Sequence, residues 1–159
     1  MVNASDVVVR PFYADDSVAV SALIATTMRE SNARDYPADR LEALIAYFTP
    51  EKLQVLAQER DCLVALHDRT VIGTAAREGN ELATFFVLPE HQGKGVGSRL
   101  LERLERRARG AGISQLRVDA SLTGASFYEH RGYRRTGHVL AGTAGPQISL
   151  TKDFEAPAG

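Results

Sequence analysis

A glycine-rich hexapeptide joins an apolar run to a helical pattern near the middle of the chain. Its residues are Gln92, Gly93, Lys94, Gly95, Val96 and Gly97. The run at residues 82–87 predicts a strand before it, and the pattern at residues 98–109 predicts a helix after it. Glycines permit positive φ angles and let a ligand approach the backbone closely. Because the first N–H groups of a helix lack internal acceptors and lie at the positive end of its dipole, the segment predicts a phosphate-binding turn.

Three phosphate-binding patterns compete for this segment. A nucleotide P-loop needs Lys followed by Ser or Thr, and Lys94 is followed by Gly95, which excludes it. A dinucleotide fingerprint fits at Gly93 and Gly95, but its sixth position is Ser98 and no acidic residue follows about 20 positions on. The third pattern, Gln or Arg followed by x-x-Gly-x and then Gly or Ala after a strand, fits residues 92–97.

Length and charge limit the classes of protein that the chain can belong to. Its 159 residues suffice for one domain with a buried core, which we assign to residues 1–154, with a loose tail at 155–159. A balance of 19 basic and 20 acidic residues gives no basic field for nucleic acid or a membrane surface. No apolar run approaches the ~20 residues of a membrane span, and no signal layout opens the chain, so we expect a cytoplasmic protein.

The residues that bind metals or form nucleophilic triads are sparse. Cys62 is the only cysteine, so the sequence forms no internal disulfide and no multi-thiolate metal site. The four histidines are scattered without the spacing of zinc ligands, and no G-x-S-x-G elbow is present. We therefore predict no metal and no serine triad.

The hydrophobic periodicity alternates between strand and helix patterns. It predicts strands at residues 7–11, 63–66, 70–76, 81–87, 115–120, 133–140 and 147–151. It predicts helices at residues 15–30, 38–48, 98–109 and 123–131, and a short helical turn at 50–57. The order β-α-α-β-β-β-α-β-α-β-β indicates an α/β (α+β) fold with a central sheet of about seven strands and about four flanking helices.

Two spaced motifs in this order resemble the GNAT superfamily of N-acetyltransferases. One is the loop at residues 92–97, which is similar to the family's acyl-CoA loop, and the other is the strand–helix–Gly-aromatic segment at residues 116–133. The resemblance covers nearly the whole chain and implies a mixed, mostly antiparallel sheet of the GNAT type. Ser121 stands where the family often has Asn; Ser can still cap a helix and bond a ligand carbonyl, with shorter reach.

The resemblance implies transfer of an acetyl group from acetyl-CoA, as cosubstrate, to a primary amine by direct attack in a ternary complex. The donor would lie along the exposed strand edge as an added strand, with its thioester carbonyl polarised by an N–H near Val87. Lys94 or Arg99 would be available to its phosphates. The resemblance assigns donor binding to Phe85, Phe86, Val87, Gln92, Gly93, Lys94, Gly95, Val96, Gly97, Ser98, Ser121 and Tyr128.

Two of the matching residues are candidates for proton transfer. Glu81, six residues before Val87, matches the glutamate base of the histone-acetylating branch, and an amine with a pKa of about 10 needs such a base or a water chain. Tyr128 matches the family's usual tyrosine, whose phenol can donate a proton to the leaving thiolate. The plain alternatives are a solvated strand opening at Glu81 and packing beside Phe127 for Tyr128.

Other functions and the acceptor stay open at this point. A non-catalytic acyl-CoA-binding or sensor module would keep the loop and lose the proton-transfer groups, and a dinucleotide-binding domain would bind NAD. Residues 15–61 carry nine acidic and five basic side chains, which suits a cationic amine or a solvated surface equally. Both a small-molecule amine and a protein amino group fit, and a homodimer also stays open.

Overall fold

Seven strands form one sheet in the computed structural model, which describes residues 6–142 and 145–155 of the chain. The strands are β1 (Val8–Pro11), β2 (Asp61–His67), β3 (Thr70–Glu78), β4 (Glu81–Val87), β5 (Gln115–Ser121), β6 (Arg134–Gly142) and β7 (Gly145–Asp153). Their order across the sheet is β1-β2-β3-β4-β5-β7-β6. All neighbours are antiparallel except β4 and β5, which run parallel. The mixed, mostly antiparallel sheet is therefore confirmed.

Five α-helices flank the sheet in the described part of the chain. They are α1 (Ser17–Ser31), α2 (Ala38–Tyr47), α3 (Pro50–Glu59), α4 (Val96–Gly110) and α5 (Ala125–Glu129). The additional helix relative to the predicted count is α3, for which the periodicity predicts only a short turn. Pro50 occupies its first turn and the Thr49 side chain accepts a hydrogen bond from the N–H of Lys52, so both helix-start signals are present. None of these helices has the length and apolar composition that a membrane crossing requires.

The element bounds differ from the prediction mainly at glycines. Helix α4 begins at Val96, before the predicted start at Ser98, because Gly95 takes a left-handed conformation with φ of 87° directly before it. The last two strands extend further towards each other than predicted. Residues 143–144 of their glycine-rich connection lie outside the described residues, as do residues 1–5 and residues 156–159 of the predicted tail at 155–159.

The sheet separates two apolar clusters. Leu63 and Ala65 of β2 belong to the cluster under α4 and α5, and Val64 between them belongs to the cluster under α1. Because successive strand residues point to opposite faces, the two clusters cover opposite faces of the same strands. Both helical layers are therefore built on one sheet.

The two halves of the sheet meet at a short parallel seam. Strands β4 and β5 pair only at Glu81 with Arg117 and at Leu82 with Val118 within the described residues. Beyond these pairs the strands diverge, and the opening between them is where the candidate site lies.

Candidate active site

A cavity of about 460 Å³ occupies the opening between β4 and β5. Residues 82–87 of β4 line one side of it, and residues 118–121 of β5 line the other. Its volume lies within the range of about 300–1,000 Å³ that is common for small-molecule sites. Of the predicted site residues, eight line this cavity: Phe85, Phe86, Val87, Gln92, Gly93, Gly97, Ser121 and Tyr128.

The glycine-rich loop is tied to both sides of the cavity by Gln92. Its Nε2 donates to the carbonyl of Val87 at 2.9 Å, at the end of β4, and to the hydroxyl of Ser31 at 3.1 Å, at the end of α1. Gly93 and Gly95 have φ angles of 73° and 87°, a conformation that favours glycine. The loop is therefore anchored by a side chain and turned by two glycines.

The start of α4 directs free backbone donors towards the loop. The first backbone bond of the turn runs from the N–H of Arg99 to the carbonyl of Gly95, at 3.1 Å. The N–H groups of Val96, Gly97 and Ser98 therefore have no acceptor inside the helix, and they lie at the positive end of its dipole. This arrangement can bind a phosphate group.

Arg131 is a candidate site residue that the sequence analysis did not identify. Its guanidinium lies 3.8 Å from the ring centroid of Phe127, and it donates to the Ser98 hydroxyl from Nε at 2.8 Å and from Nη2 at 2.5 Å. Its Nη1 donates to the carbonyl of Phe127 at 2.7 Å. No carboxylate pairs with Arg131 in the part of the chain that the structure describes. A cation is held at the start of α4, where the helix dipole favours an anion.

The two predicted phosphate cations behave differently. Arg99 donates from Nη1 to the carbonyl of Val7 at 2.5 Å, just before β1, so its guanidinium is committed there. Lys94 is exposed in the loop.

The sequence signal that could have found Arg131 is its spacing of four residues from Phe127, because residues at this spacing share a helix face.

The backbone at Val87 points an N–H into the opening. The N–H of Leu88 donates to the carbonyl of Ile72 at 2.9 Å, which is back towards β3. Because successive backbone groups of a strand alternate in direction, the N–H of Val87 points away from β3. The carbonyl of Val87 follows the same direction, since it accepts from Gln92.

Tyr128 is packed among aromatic rings at the wall of the cavity. Its side chain is 6% exposed, and its ring centroid lies 5.9 Å from that of Phe85, 5.1 Å from Phe127 and 5.6 Å from Tyr133. Burial raises the pKa of the Tyr128 hydroxyl, so the group is protonated at neutral pH. Among the described residues nothing hydrogen-bonds this hydroxyl, whereas the hydroxyl of Tyr133 donates to Glu105 at 2.9 Å.

Glu81 lies beside the cavity, outside the residues that line it. Its carboxylate is 3.0 Å from Nη2 of Arg117, and the same nitrogen is 3.1 Å from the carboxylate of Asp119. Asp119 does line the cavity, and it also accepts from the Ser149 hydroxyl at 2.6 Å. The sequence analysis missed Asp119, although its position two residues from both Arg117 and Ser121 puts it on their face of β5.

Ser121 closes the turn between β5 and α5. Its hydroxyl accepts from the N–H of Gly124 at 3.1 Å, and Gly124 is the residue that precedes α5. Gly124 is the N-cap residue of α5, so Ser121 bonds the N–H of the cap residue and is not itself the cap; Ser121 also lines the cavity.

The far wall of the cavity comes from the N-terminal helices. Met28 of α1, Tyr36 before α2 and Leu44 of α2 line it, together with Phe48. The ring of Phe48 lies 6.3 Å from that of Phe86, in an edge-to-face arrangement. Burial, and then the charge of Asp35, raise the pKa of Tyr36. The cavity therefore joins a loop with free amides to a largely apolar wall.

The sequence is similar to those of known acetyltransferases. The family model described as acetyltransferase (GNAT) domain matches residues 32–143. The IAA acetyltransferase of Azospirillum brasilense is 34% identical over 137 residues, which cover 76% of this chain and 88% of that protein.

The fold is similar to those of solved structures of the same kind. A GCN5-related N-acetyltransferase from Rhodopseudomonas palustris superposes with a TM-score of 0.87 at 26% identity, covering 97% of this chain and 99% of that one. The PaiA N-acetyltransferase from Thermoplasma acidophilum, in complex with coenzyme A, gives a TM-score of 0.83 at 22% identity, covering 93% and 99%. At 22% identity, the similarity to the PaiA structure concerns the fold alone.

Proposed function

The chain belongs to the GNAT family and is an acetyl-CoA-dependent N-acetyltransferase, and on that premise we propose that it acetylates a primary amine by direct attack in a ternary complex. The observation that carries this proposal is the cavity between β4 and β5. The glycine-rich loop borders it on one side, and the wall from α1 and α2 borders it on the other, so donor and acceptor have separate approaches to one space.

The donor arm occupies the edge of β4 in this proposal. Divergence from β5 leaves backbone groups of residues 83–87 without a strand partner on that side, and the amides of an extended ligand can pair with them. The pyrophosphate then lies on the free N–H groups at the start of α4. Arg131 adds a positive charge beside them, held in place by Ser98 and Phe127.

The chemistry follows from the groups around the thioester. The amine nitrogen attacks the carbonyl carbon, a C–N bond forms, and the C–S bond breaks to release the thiol of coenzyme A. The N–H of Val87 stabilises the negative charge that develops on the carbonyl oxygen. The nitrogen loses one proton and the sulfur gains one, so the products are an amide and a free thiol.

Tyr128 acts on the sulfur in this proposal. The pKa of a phenol, about 10, already lies above that of a thiol, about 8.5, and burial raises the pKa of the Tyr128 hydroxyl further, so complete transfer of its proton to a thiolate is unfavourable. We infer that the hydroxyl stabilises the charge on sulfur mainly as a hydrogen-bond donor. The proton that finally reaches the thiolate then comes from the amine or from solvent.

Glu81 acts as the base, directly or through water. The carboxylate shares Arg117 with Asp119, and Asp119 lines the cavity, so a proton leaving the amine has an acidic route towards solvent. This route supports the assignment without requiring direct contact between Glu81 and the amine.

A pair of aspartate substitutions tests donor binding. Gly95→Asp puts a carboxylate against the pyrophosphate, and Gly112→Asp imposes the same residue at a second left-handed glycine, with φ of 83°, beyond the end of α4. A β-carbon at Gly112 would have no atom within 4 Å, so the control carries only the backbone cost. We expect acetyl-CoA to raise the melting temperature of Gly112→Asp and to leave that of Gly95→Asp unchanged. An equal shift in both variants would remove the loop from the proposal.

The reaction itself is tested by thiol release from acetyl-CoA in the presence of a panel of primary amines. Release that depends on the amine, with formation of the acetylated amine, is the expected result. NAD serves as the control ligand, and it should not change the melting temperature. The single domain at residues 1–154 is part of the same proposal, supported by the two apolar clusters that share β2.

A further inference from the structure

Apolar and aromatic side chains line the acceptor side of the cavity, beside the polar residues Thr27, Ser31 and Asn32. Met28, Leu44 and Phe48 contribute to it from the helical layer, and Phe86 faces them from β4. Phe48 and Phe86 contact each other edge to face, which fixes the orientation of both rings. A wall of this kind favours an apolar or aromatic body over a hydrated polar chain.

The charged group that lines the cavity is a carboxylate. Among the described residues that line it there is no Lys, Arg or His, and Asp119 is the one carboxylate. Arg117 is shared between Asp119 and Glu81, so the three groups together carry one net negative charge. This charge favours an ammonium group in the cavity and disfavours a second carboxylate.

An acceptor that carries its own carboxylate would therefore lack a cationic partner. A buried carboxylate is stable only when it is paired or fully hydrogen-bonded, and no cationic side chain among the described lining residues offers a pair. Arg131 does not serve, because it lies at the start of α4 on the donor side. The free amides at that helix are likewise on the donor side.

We propose that the acceptor is a primary amine on an apolar, aromatic-sized body without a carboxylate, and not an α-amino acid; this inference rests on the proposed function. The ammonium approaches through the side of Asp119 and loses its proton towards Glu81, directly or through water, while the body packs against Phe48 and Phe86. The apolar wall then holds the nitrogen in line with the thioester carbonyl beside Val87.

A matched pair of amines tests the inference. Phenethylamine and phenylalanine share the aromatic body and the primary amine, and differ by the carboxylate. We expect kcat/KM for phenethylamine to exceed that for phenylalanine by on the order of 100-fold, since only phenylalanine must bury an unpaired charge. Equal values, a preference for phenylalanine, or turnover confined to a hydrophilic amine such as putrescine would each overturn the inference.

A second substitution supplies the missing cation. Leu44→Arg should raise kcat/KM for phenylalanine relative to phenethylamine by about tenfold or more, because the new guanidinium pairs with the carboxylate. Val55→Arg is the control, since Val55 is 49% exposed on α3 and lies outside the cavity. Its ratio should equal that of the parent. An unchanged ratio in a folded Leu44→Arg protein would count against the placement of Leu44 in the acceptor wall. If that variant does not fold, the kcat/KM values of the parent for phenethylamine and phenylalanine decide the inference.

Binding to the complex with coenzyme A separates this inference from the proposed function. Calorimetric titration of both amines into the protein saturated with coenzyme A should show phenethylamine binding more tightly. If phenethylamine binds preferentially but is not acetylated, direct transfer to an amine fails and the selectivity of the pocket stands. If both amines are bound and acetylated equally, transfer stands and the inference fails.

Discussion

The α-carbon of Gly97 lies so close to the ring of Phe127 that a β-carbon at this position would be 2.9 Å from Cε1 and 3.1 Å from Cζ. Phe127 in turn carries the guanidinium of Arg131 on its ring and contacts the ring of Phe85 at 5.4 Å. The absence of a side chain at Gly97 therefore sets the distance between the start of α4 and the wall of the cavity.

Gly97→Ala should disturb this packing. We expect a loss of roughly 1–3 kcal/mol in the free energy of unfolding, as for other overpacked sites, and about tenfold weaker acetyl-CoA binding because the amides of α4 move. Gly110→Ala, at the other end of the same helix, meets no atom within 4 Å and should gain up to about 1 kcal/mol from helix propensity. Urea unfolding and calorimetry measure both quantities. A Gly97→Ala protein with parental stability and affinity would contradict the packing argument.

Arg131→Ala should weaken acetyl-CoA binding by about tenfold or more, because a charge-assisted contact to phosphate is lost. Arg109→Ala is a matched control: Arg109 also lies over a phenylalanine ring, that of Phe154, but at the far end of α4. Its acetyl-CoA affinity should equal that of the parent. In titrations at two salt concentrations, the acetyl-CoA affinity of the parent and of Arg109→Ala should depend more strongly on salt than that of Arg131→Ala. Equal affinities for both variants would assign Arg131 to packing.

Tyr128→Phe should reduce turnover by roughly tens-fold to a hundredfold, with acetyl-CoA affinity within a few-fold of the parent. Its stability should change little, because the described structure gives this hydroxyl no hydrogen bond. Tyr133→Phe is the reverse case: it loses the bond to Glu105 and should cost about 1–2 kcal/mol of stability with nearly normal turnover. Steady-state kinetics and urea unfolding of both variants separate the two roles. Parental turnover in Tyr128→Phe would show that the residue only packs.

Glu81→Gln should lower turnover most at low pH, where the amine is almost entirely protonated and needs a base. Acetyl-CoA affinity should be unaffected. Glu78→Gln is the control, because Glu78 lies directly across from Glu81 on β3 and pairs with Arg60 at 3.5 Å. The measurement is a pH profile of kcat with the amine that the panel identifies. Profiles that coincide for the parent and for Glu81→Gln would reduce Glu81 to a strand-opening residue.

Asp16→Asn should make stability less dependent on pH. Burial raises the pKa of the Asp16 carboxyl, but hydrogen bonds from the Arg10 side chain and the N–H of Tyr13 outweigh it and hold the pKa below its ordinary value. The stabilisation is therefore present above about pH 4 and is lost as pH falls through the folded-state pKa. We expect the variant to lose roughly 1–3 kcal/mol at neutral pH and the difference to shrink below about pH 4.

Urea unfolding across the acid range measures this difference. Asp153→Asn, which alters an exposed carboxylate paired with Arg134, is the control and should change stability little at any pH. A deficit in Asp16→Asn that persists undiminished in acid would mean that the lost interaction does not depend on charge.

The parts of the fold that could be predicted are those with a local signal. Strand and helix periods alternate clearly along the chain, and in the turn at residues 92–97 the backbone has positive φ at two of the three glycines, Gly93 and Gly95. The predicted start of α4 lies two residues after the observed start at Val96. Val96 is buried against the core, but the glycine on each side of it made a turn the expected structure. Helix α3 is longer than the predicted turn, although its Thr49 and Pro50 signals are present in the sequence.

The missed site residues depend on partners that are remote along the chain. Asp119 meets Ser149 across the register of β5 and β7, and Arg131 meets Ser98 across the gap between α5 and α4. No local periodicity contains such a pairing, because it arises from the packing of whole elements. The roles of Glu81 and Tyr128 stay predictions. The structure gives the neighbours of each side chain, which are Arg117 for Glu81 and the rings of Phe85 and Phe127 for Tyr128.

The seam of two residue pairs between β4 and β5 also bears on how the molecule opens. Strands β1–β4 form one block and strands β5, β7 and β6 form another. Each block is extensively paired internally, whereas only a short stretch of strand pairing joins the two blocks. Each block is thus a candidate unit of local unfolding, coupled to the other through that seam, the apolar cluster under α4 and the ring contact of Phe85 with Tyr128. A donor molecule that pairs along β4 and contacts α5 would join the two units, and amide hydrogen exchange would slow on strands that the donor never touches.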